Sequence, residues 1–140
     1  MALVGSAVAN GGTVMRPHVA AEIRDSDGRT LSTIAAKPWK VAMPPATAST
    51  ITGFMEQVVA HGTGTAGQIA GVTVAGKTGT AQSCETCSPH AWFVAFAPAE
   101  APQYAVAVFV ERGGNMGNEA TGGHVAAPIA AKVLKFLLGK

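Results

Sequence analysis

Leu3, Val4, Ala7 and Val8 recur at helical spacing, and Asn10-Gly11-Gly12 ends that pattern. This helix begins at the first residue without an N-cap, so Met1 is not expected to be a natural domain start. Residues 13–34 read as extended chain. Two runs, 19–24 and 29–34, flank the turn Asp25-Ser26-Asp27-Gly28 and predict a polar surface hairpin. Lys37-Pro38-Trp39-Lys40 and Met43-Pro44-Pro45 read as a linker. A second helix follows, with Ile51, Phe54, Met55, Val58 and Val59 on one stripe. Thr47 or Ser49 suits its start, His61-Gly62 its end, and the Phe54/Met55 pair is expected in the core.

The period then changes. Residues 72–82 read as a strand, and 91–97 and 104–110 are nearly continuous apolar runs of strand length. The short 98–103 segment makes them an antiparallel hairpin. Strands apolar on both sides need cover on both faces. A last helix, with Pro128 in its first turn, supplies one cover through Ile129, Val133, Phe136 and Leu137, leaving Lys132 and Lys135 exposed. The other face has no evident partner, and self-association through that face or an edge is the expected consequence.

Composition narrows the function classes. Of 140 residues, 48% are hydrophobic and only 13% charged, which argues against disorder. Ten Lys and Arg against eight Asp and Glu give a formal charge of +2, and no basic cluster or aromatic-basic interleaving is present, so no nucleic acid partner is expected. No apolar run approaches the roughly 20 residues of a membrane-spanning helix. The N-terminus lacks the basic start of a signal peptide. Glycine accounts for 17 residues, above the ~7% average, which implies tight turns or backbone-lined sites.

Gly76-Lys77-Thr78-Gly79-Thr80-Ala81 carries the most chemistry. Alternation puts Lys77 and Gly79 on one face of a strand and Thr78 and Thr80 on the other. Gly79 leaves room beside a cation, and the threonines add hydroxyls. A ligand along the strand edge could meet backbone groups, hydroxyls and an ammonium together, which suits an anionic peptide-like molecule. The same residues also fit a surface strand with an incidental lysine. Gly62-Thr63-Gly64-Thr65-Ala66-Gly67 looks superficially like a phosphate loop, but a helix precedes it and Gln68 stands where a lysine is required, so a flexible connection is expected.

Lys77-Thr78-Gly79-Thr80 resembles the Lys-Thr-Gly box of penicillin-binding proteins and serine β-lactamases. The surrounding chain resembles class B penicillin-binding proteins in the same order. Met1-Ala-Leu-Val, with Ala9-Asn10-Gly11-Gly12-Thr13-Val14-Met15-Arg16-Pro17, is similar to the stretch upstream of the box. His90-Ala91-Trp92-Phe93-Val94-Ala95-Phe96-Ala97-Pro98 is similar to the strand after it, and Ala126-Ala127-Pro128-Ile129-Ala130 to the start of the closing helix. The resemblance implies an α+β fold: an antiparallel sheet, the third to fifth strands of the transpeptidase fold, against a C-terminal helix.

It also implies a serine D,D-transpeptidase that cross-links peptidoglycan and is acylated by β-lactams, acting at the extracytoplasmic face of the bacterial cell membrane within a cell-wall synthesis complex. No cofactor or metal is implied. Lys77 would assist proton transfer and add positive charge. Thr78 and Thr80 hydroxyls would hold the carboxylate of the D-Ala-D-Ala stem peptide, the Thr80 N–H would serve the oxyanion, and Gly79 would give the substrate room.

One departure stands out. The family's first box is Ser-x-x-Lys, but Ser6, Ser26, Ser32, Ser49, Ser83 and Ser88 are followed three residues on by Ala9, Arg29, Ala35, Thr52, Thr86 and Ala91. The second box, Ser-x-Asn, is also absent. Residues 1–140 are therefore expected to be the C-terminal part of a transpeptidase domain, inactive alone, with nucleophile and membrane anchor in a preceding segment. Two alternatives remain: a non-catalytic module that binds cell-wall peptide or a partner, and a β-lactamase or β-lactam sensor relative.

Cys84-Glu85-Thr86-Cys87 follows the box. A disulfide suits a family that works outside the cytoplasmic membrane. Free thiols are the second state. Zinc would need a distant His18, His61 or His124, and Ser88 after Cys87 excludes c-type haem attachment. His90 at a strand start reads as a hydrogen-bonded structural histidine, and Trp92 and Phe93 as core. The Gly-rich segment 113–123 reads as a connection or a lid.

Overall fold

β6, His90–Ala97, is the centre of the molecule. The computed structural model describes residues 1–140. β6 lies between β5, Ala75–Ala81, and β7, Tyr104–Val110, in an antiparallel sheet of order β5-β6-β7. The register is continuous, with Thr78 opposite Phe93 and Gly79 opposite Trp92. Val94 lies opposite Ala107 on the other side. This is the hairpin expected from the two apolar runs, and the fold is α+β.

Each face carries at least one helix, although Phe109 remains 47% exposed and Trp92 half-buried. On one face Phe93, Ala95 and Ala97 pack with Ala127, Ala130 and Leu134 of α3, Ala127–Leu137. On the other, Phe96 and Ala75 pack with Val8 of α1, Ala2–Ala9, and Met55 of α2, Pro45–Ala60. The expectation of an uncovered sheet face is corrected for the Ala75 and Phe96 end, which the two N-proximal helices take, while the Trp92 and Phe109 end is left partly open. α2 reaches both clusters, placing Met55 in one and Val59 in the other.

Two helix faces also differ from their periodicity. In α2, Met55 and Val59 are buried but Phe54 is 68% exposed, so Phe54 is not core. The small Ala48 is buried as well. In α3 the buried line is Ala127, Ala130 and Leu134, whereas Ile129, Val133, Phe136 and Leu137 are all exposed. Alanines allow close approach to the sheet, and that outweighs the larger hydrophobic stripe. We expect Met55→Ala to cost about 2–5 kcal/mol of stability and Phe54→Ala no more than about 0.5. Denaturant titration of the two variants checks the assignment of the buried face.

Neither Thr47 nor Ser49 caps α2. The helix starts at Pro45 with Pro44 at the cap position and no side-chain cap. Proline in the first turn has no N–H to satisfy. Residues 38–41 are not linker: β4, Pro38–Val41, pairs antiparallel with β1, Thr13–Met15. Their side chains are too mixed to show a strand period. The polar hairpin is present as β2, Glu22–Arg24, and β3, Thr30–Thr33, fully exposed. Its turn is closed by Asp25 Oδ1, which accepts the N–H groups of Asp27 at 3.0 Å and Arg29 at 2.9 Å.

Candidate active site

β5 pairs only with β6, so its other side is a free sheet edge. The first residues of the strand are buried under α2, while Lys77 and Thr80 are exposed and Thr78 and Gly79 are half-buried. Lys77, Gly79 and Trp92 share one face; Thr78, Thr80 and Phe93 share the other. The Lys77 ammonium Nζ donates to the Thr78 carbonyl oxygen at 2.7 Å. That carbonyl therefore faces the free edge, and the two-residue alternation turns the N–H and C=O of Thr80 to the same edge. The intervening Gly79 points its N–H and C=O toward β6, beside the Trp92 carbonyl. The Lys77 ammonium and the Thr80 backbone N–H thus border one edge, with the Thr78 and Thr80 side chains on the opposite face from Lys77.

A glycine strap packs over the β5–β6 seam from the α3 side. A β-carbon on Gly122 would lie 2.1 Å from the Trp92 carbonyl oxygen and 2.9 Å from the Gly79 nitrogen. On Gly123 it would lie 2.2 Å from the Thr63 carbonyl oxygen. Only glycine permits such contact between backbones. Thr63 in turn places Oγ1 2.7 Å from Thr78 Oγ1. The Gly122-Gly123 end of the Gly-rich segment is thus packed against β5 and β6, while residues 114–119 are mostly exposed. The segment also makes hydrogen bonds: Ser88 Oγ donates to Asn118 Oδ1 at 2.7 Å, and the His124 N–H donates to Thr121 Oγ1 at 3.3 Å.

The 62–67 segment is not a flexible connection. Gly64 and Gly67 are buried, and β-carbons there would meet the Phe93 ring at 3.1 and 2.8 Å. The glycines serve close packing on an aromatic ring, which a glycine-rich sequence does not distinguish from flexibility. Thr63, Gly122 and Gly123 are the residues sequence reasoning missed at the site. Their signal was weak, because they are small residues far from the Lys-Thr-Gly-Thr segment in sequence.

His90 accepts the Arg112 backbone N–H at Nδ1, at 3.0 Å, and stacks with Phe109 at 5.2 Å between centroids. It is a structural histidine. Phe93 is fully buried, whereas Trp92 is half-buried against Phe109, 4.4 Å between centroids. The Cys84 and Cys87 sulfurs are bonded, with Cα atoms 5.1 Å apart, in the turn between β5 and β6.

The penicillin-binding protein transpeptidase domain model matches residues 1–135. The chain belongs to that family. Peptidoglycan D,D-transpeptidase PbpA of Mycolicibacterium smegmatis is 44% identical over 98% of this chain, and PbpA of Mycobacterium tuberculosis 39% identical over 96%. The chain spans 28% of the length of each of these curated relatives. Penicillin-binding protein A from M. tuberculosis, solved as a ceftriaxone acyl-enzyme complex, superposes with a TM-score of 0.87 at 40% identity, over 96% of this chain and 30% of that one.

Proposed function

We propose that residues 1–140 are the C-terminal part of a serine D,D-transpeptidase that cross-links peptidoglycan and is acylated by β-lactams. What supports this reading is the free edge of β5, which Lys77 borders from one face and Thr78 and Thr80 from the other, with the Thr80 N–H between them. In the proposed mechanism a serine from a preceding segment attacks the D-Ala-D-Ala or β-lactam carbonyl. The Thr80 N–H stabilises the developing oxyanion. Preorganised donors of this kind contribute about 3–4 kcal/mol to the barrier. Lys77 supplies positive charge and assists proton transfer, and the Thr78 and Thr80 hydroxyls hold the substrate carboxylate. Gly79 leaves the space beside them open. Cys84 and Cys87 form a disulfide that closes the turn after the strand, as suits a protein acting on the extracytoplasmic face of the membrane. No helix of this chain is long and apolar enough to cross a membrane. The membrane anchor and the contacts with a cell-wall synthesis complex are assigned to the rest of the polypeptide.

Intact mass after benzylpenicillin treatment tests this reading. The 140-residue chain holds no Ser-x-x-Lys and is expected to gain no adduct, whereas the full-length polypeptide gains one penicilloyl group. An adduct on the 140-residue chain would place the nucleophile within it. Absence of an adduct on the full-length polypeptide would favour a non-catalytic binding module, and rapid turnover a β-lactamase.

The free edge of β5 also predicts the behaviour of the isolated chain. An edge strand with unpaired backbone groups invites pairing with another copy. We expect light scattering of the 140-residue chain to show mass rising with concentration. A monodisperse monomer would contradict this.

A further inference from the structure

We propose that Thr63 is a positioning residue for Thr78, fixing the direction in which the Thr78 hydroxyl presents its proton. The inference rests on the proposed transpeptidase reading and deepens it. The two Oγ1 atoms are 2.7 Å apart. A threonine hydroxyl has one proton and two acceptor positions. When Thr63 donates to Thr78, the Thr78 proton is left to donate to an anion. A free Thr78 hydroxyl would spend part of its time turned elsewhere.

Thr63 is well placed to hold that geometry. It follows the end of α2, where the Gly62 and Gly64 N–H groups donate to the Val58 carbonyl at 3.1 and 2.9 Å. From the other side Gly123 lies against the Thr63 carbonyl, so closely that a β-carbon on Gly123 would be 2.2 Å from that oxygen and 3.7 Å from Thr78 Cγ2. The Thr63 backbone is therefore gripped between a helix end and the glycine strap. Thr63 itself is exposed, and water can replace part of its hydrogen bond. The effect on a carboxylate ligand is accordingly that of one neutral hydrogen bond, about fivefold in rate.

The test uses the full-length polypeptide with benzylpenicillin and with its methyl ester, which lacks the carboxylate anion. Second-order acylation rates and thermal unfolding midpoints are measured for wild type, Thr63→Val and Thr63→Ser. We expect Thr63→Val to acylate with benzylpenicillin about fivefold more slowly, with the ester rate unchanged and Thr63→Ser at the wild-type rate on both. Equal slowing with acid and ester would mean general disruption and would overturn the proposal, as would wild-type rates for Thr63→Val on both. If Thr63→Val does not fold, Thr63→Ala is read in the same way; failure of both to fold makes Thr63 a purely structural residue and overturns it too. Wild type that is not acylated by either compound removes the transpeptidase reading itself, a result distinct from any effect of Thr63.

Discussion

Lys77→Ala in the full-length polypeptide is expected to slow benzylpenicillin acylation by about 10²–10⁴-fold, the range over which a positioned acid-base group acts. The lysine is exposed and its side chain's only hydrogen bond in the chain is to the carbonyl of its neighbour, Thr78, at 2.7 Å. Its removal leaves no buried partner unsatisfied, so the unfolding midpoint should stay near wild type. Lys77→Arg keeps the charge but not the ability to give up a proton, and should recover only a small part of the rate. Stopped-flow or quenched labelling with a fluorescent penicillin measures both variants. A rate for Lys77→Ala within threefold of wild type would show that the lysine is an incidental surface cation.

Phe93→Ala should have the largest effect on stability, a loss of about 3–5 kcal/mol, the range measured for buried aromatic-to-alanine changes. The ring is fully buried. It is cradled by glycines: β-carbons at Gly64, Gly67 and Gly76 would come within 3.1, 2.8 and 2.5 Å of it. Glycines have no side chains that could turn into the space, so the cavity would stay open. Phe93 also lies opposite Thr78 in the β5–β6 register, so the loss would be felt at the candidate site. Urea denaturation measures it. A loss below about 1.5 kcal/mol would mean the surrounding loops collapse into the void, contrary to the packing described.

The three strands of the sheet, the polar hairpin and the presence of each helix were legible in the sequence, because long apolar runs and strong turn signals have few alternatives. The faces of α2 and α3 were not. Ala48, Ala127 and Ala130 are buried while Phe54 and Phe136 are exposed, since backbone approach selects small residues and a pattern read for bulk points the wrong way. The candidate strand was legible as Gly76-Lys77-Thr78-Gly79-Thr80, including which residues share a face. Thr63, Gly122 and Gly123 were not, because their contribution is a hydroxyl contact and backbone approaches between segments distant in sequence. β4 was hidden behind Pro38 and Trp39, residues that read as a linker until β1 pairs with them.

The most direct measurement is a crystal structure of the full-length polypeptide after reaction with benzylpenicillin. The assignment of β5 predicts the acyl carbonyl oxygen about 2.7–3.1 Å from the Thr80 nitrogen, the distance of an oxyanion donor. It also predicts the penicilloyl carboxylate against the Thr78 and Thr80 hydroxyls. An acyl group whose carbonyl and carboxylate both lie away from the free edge of β5 would contradict it.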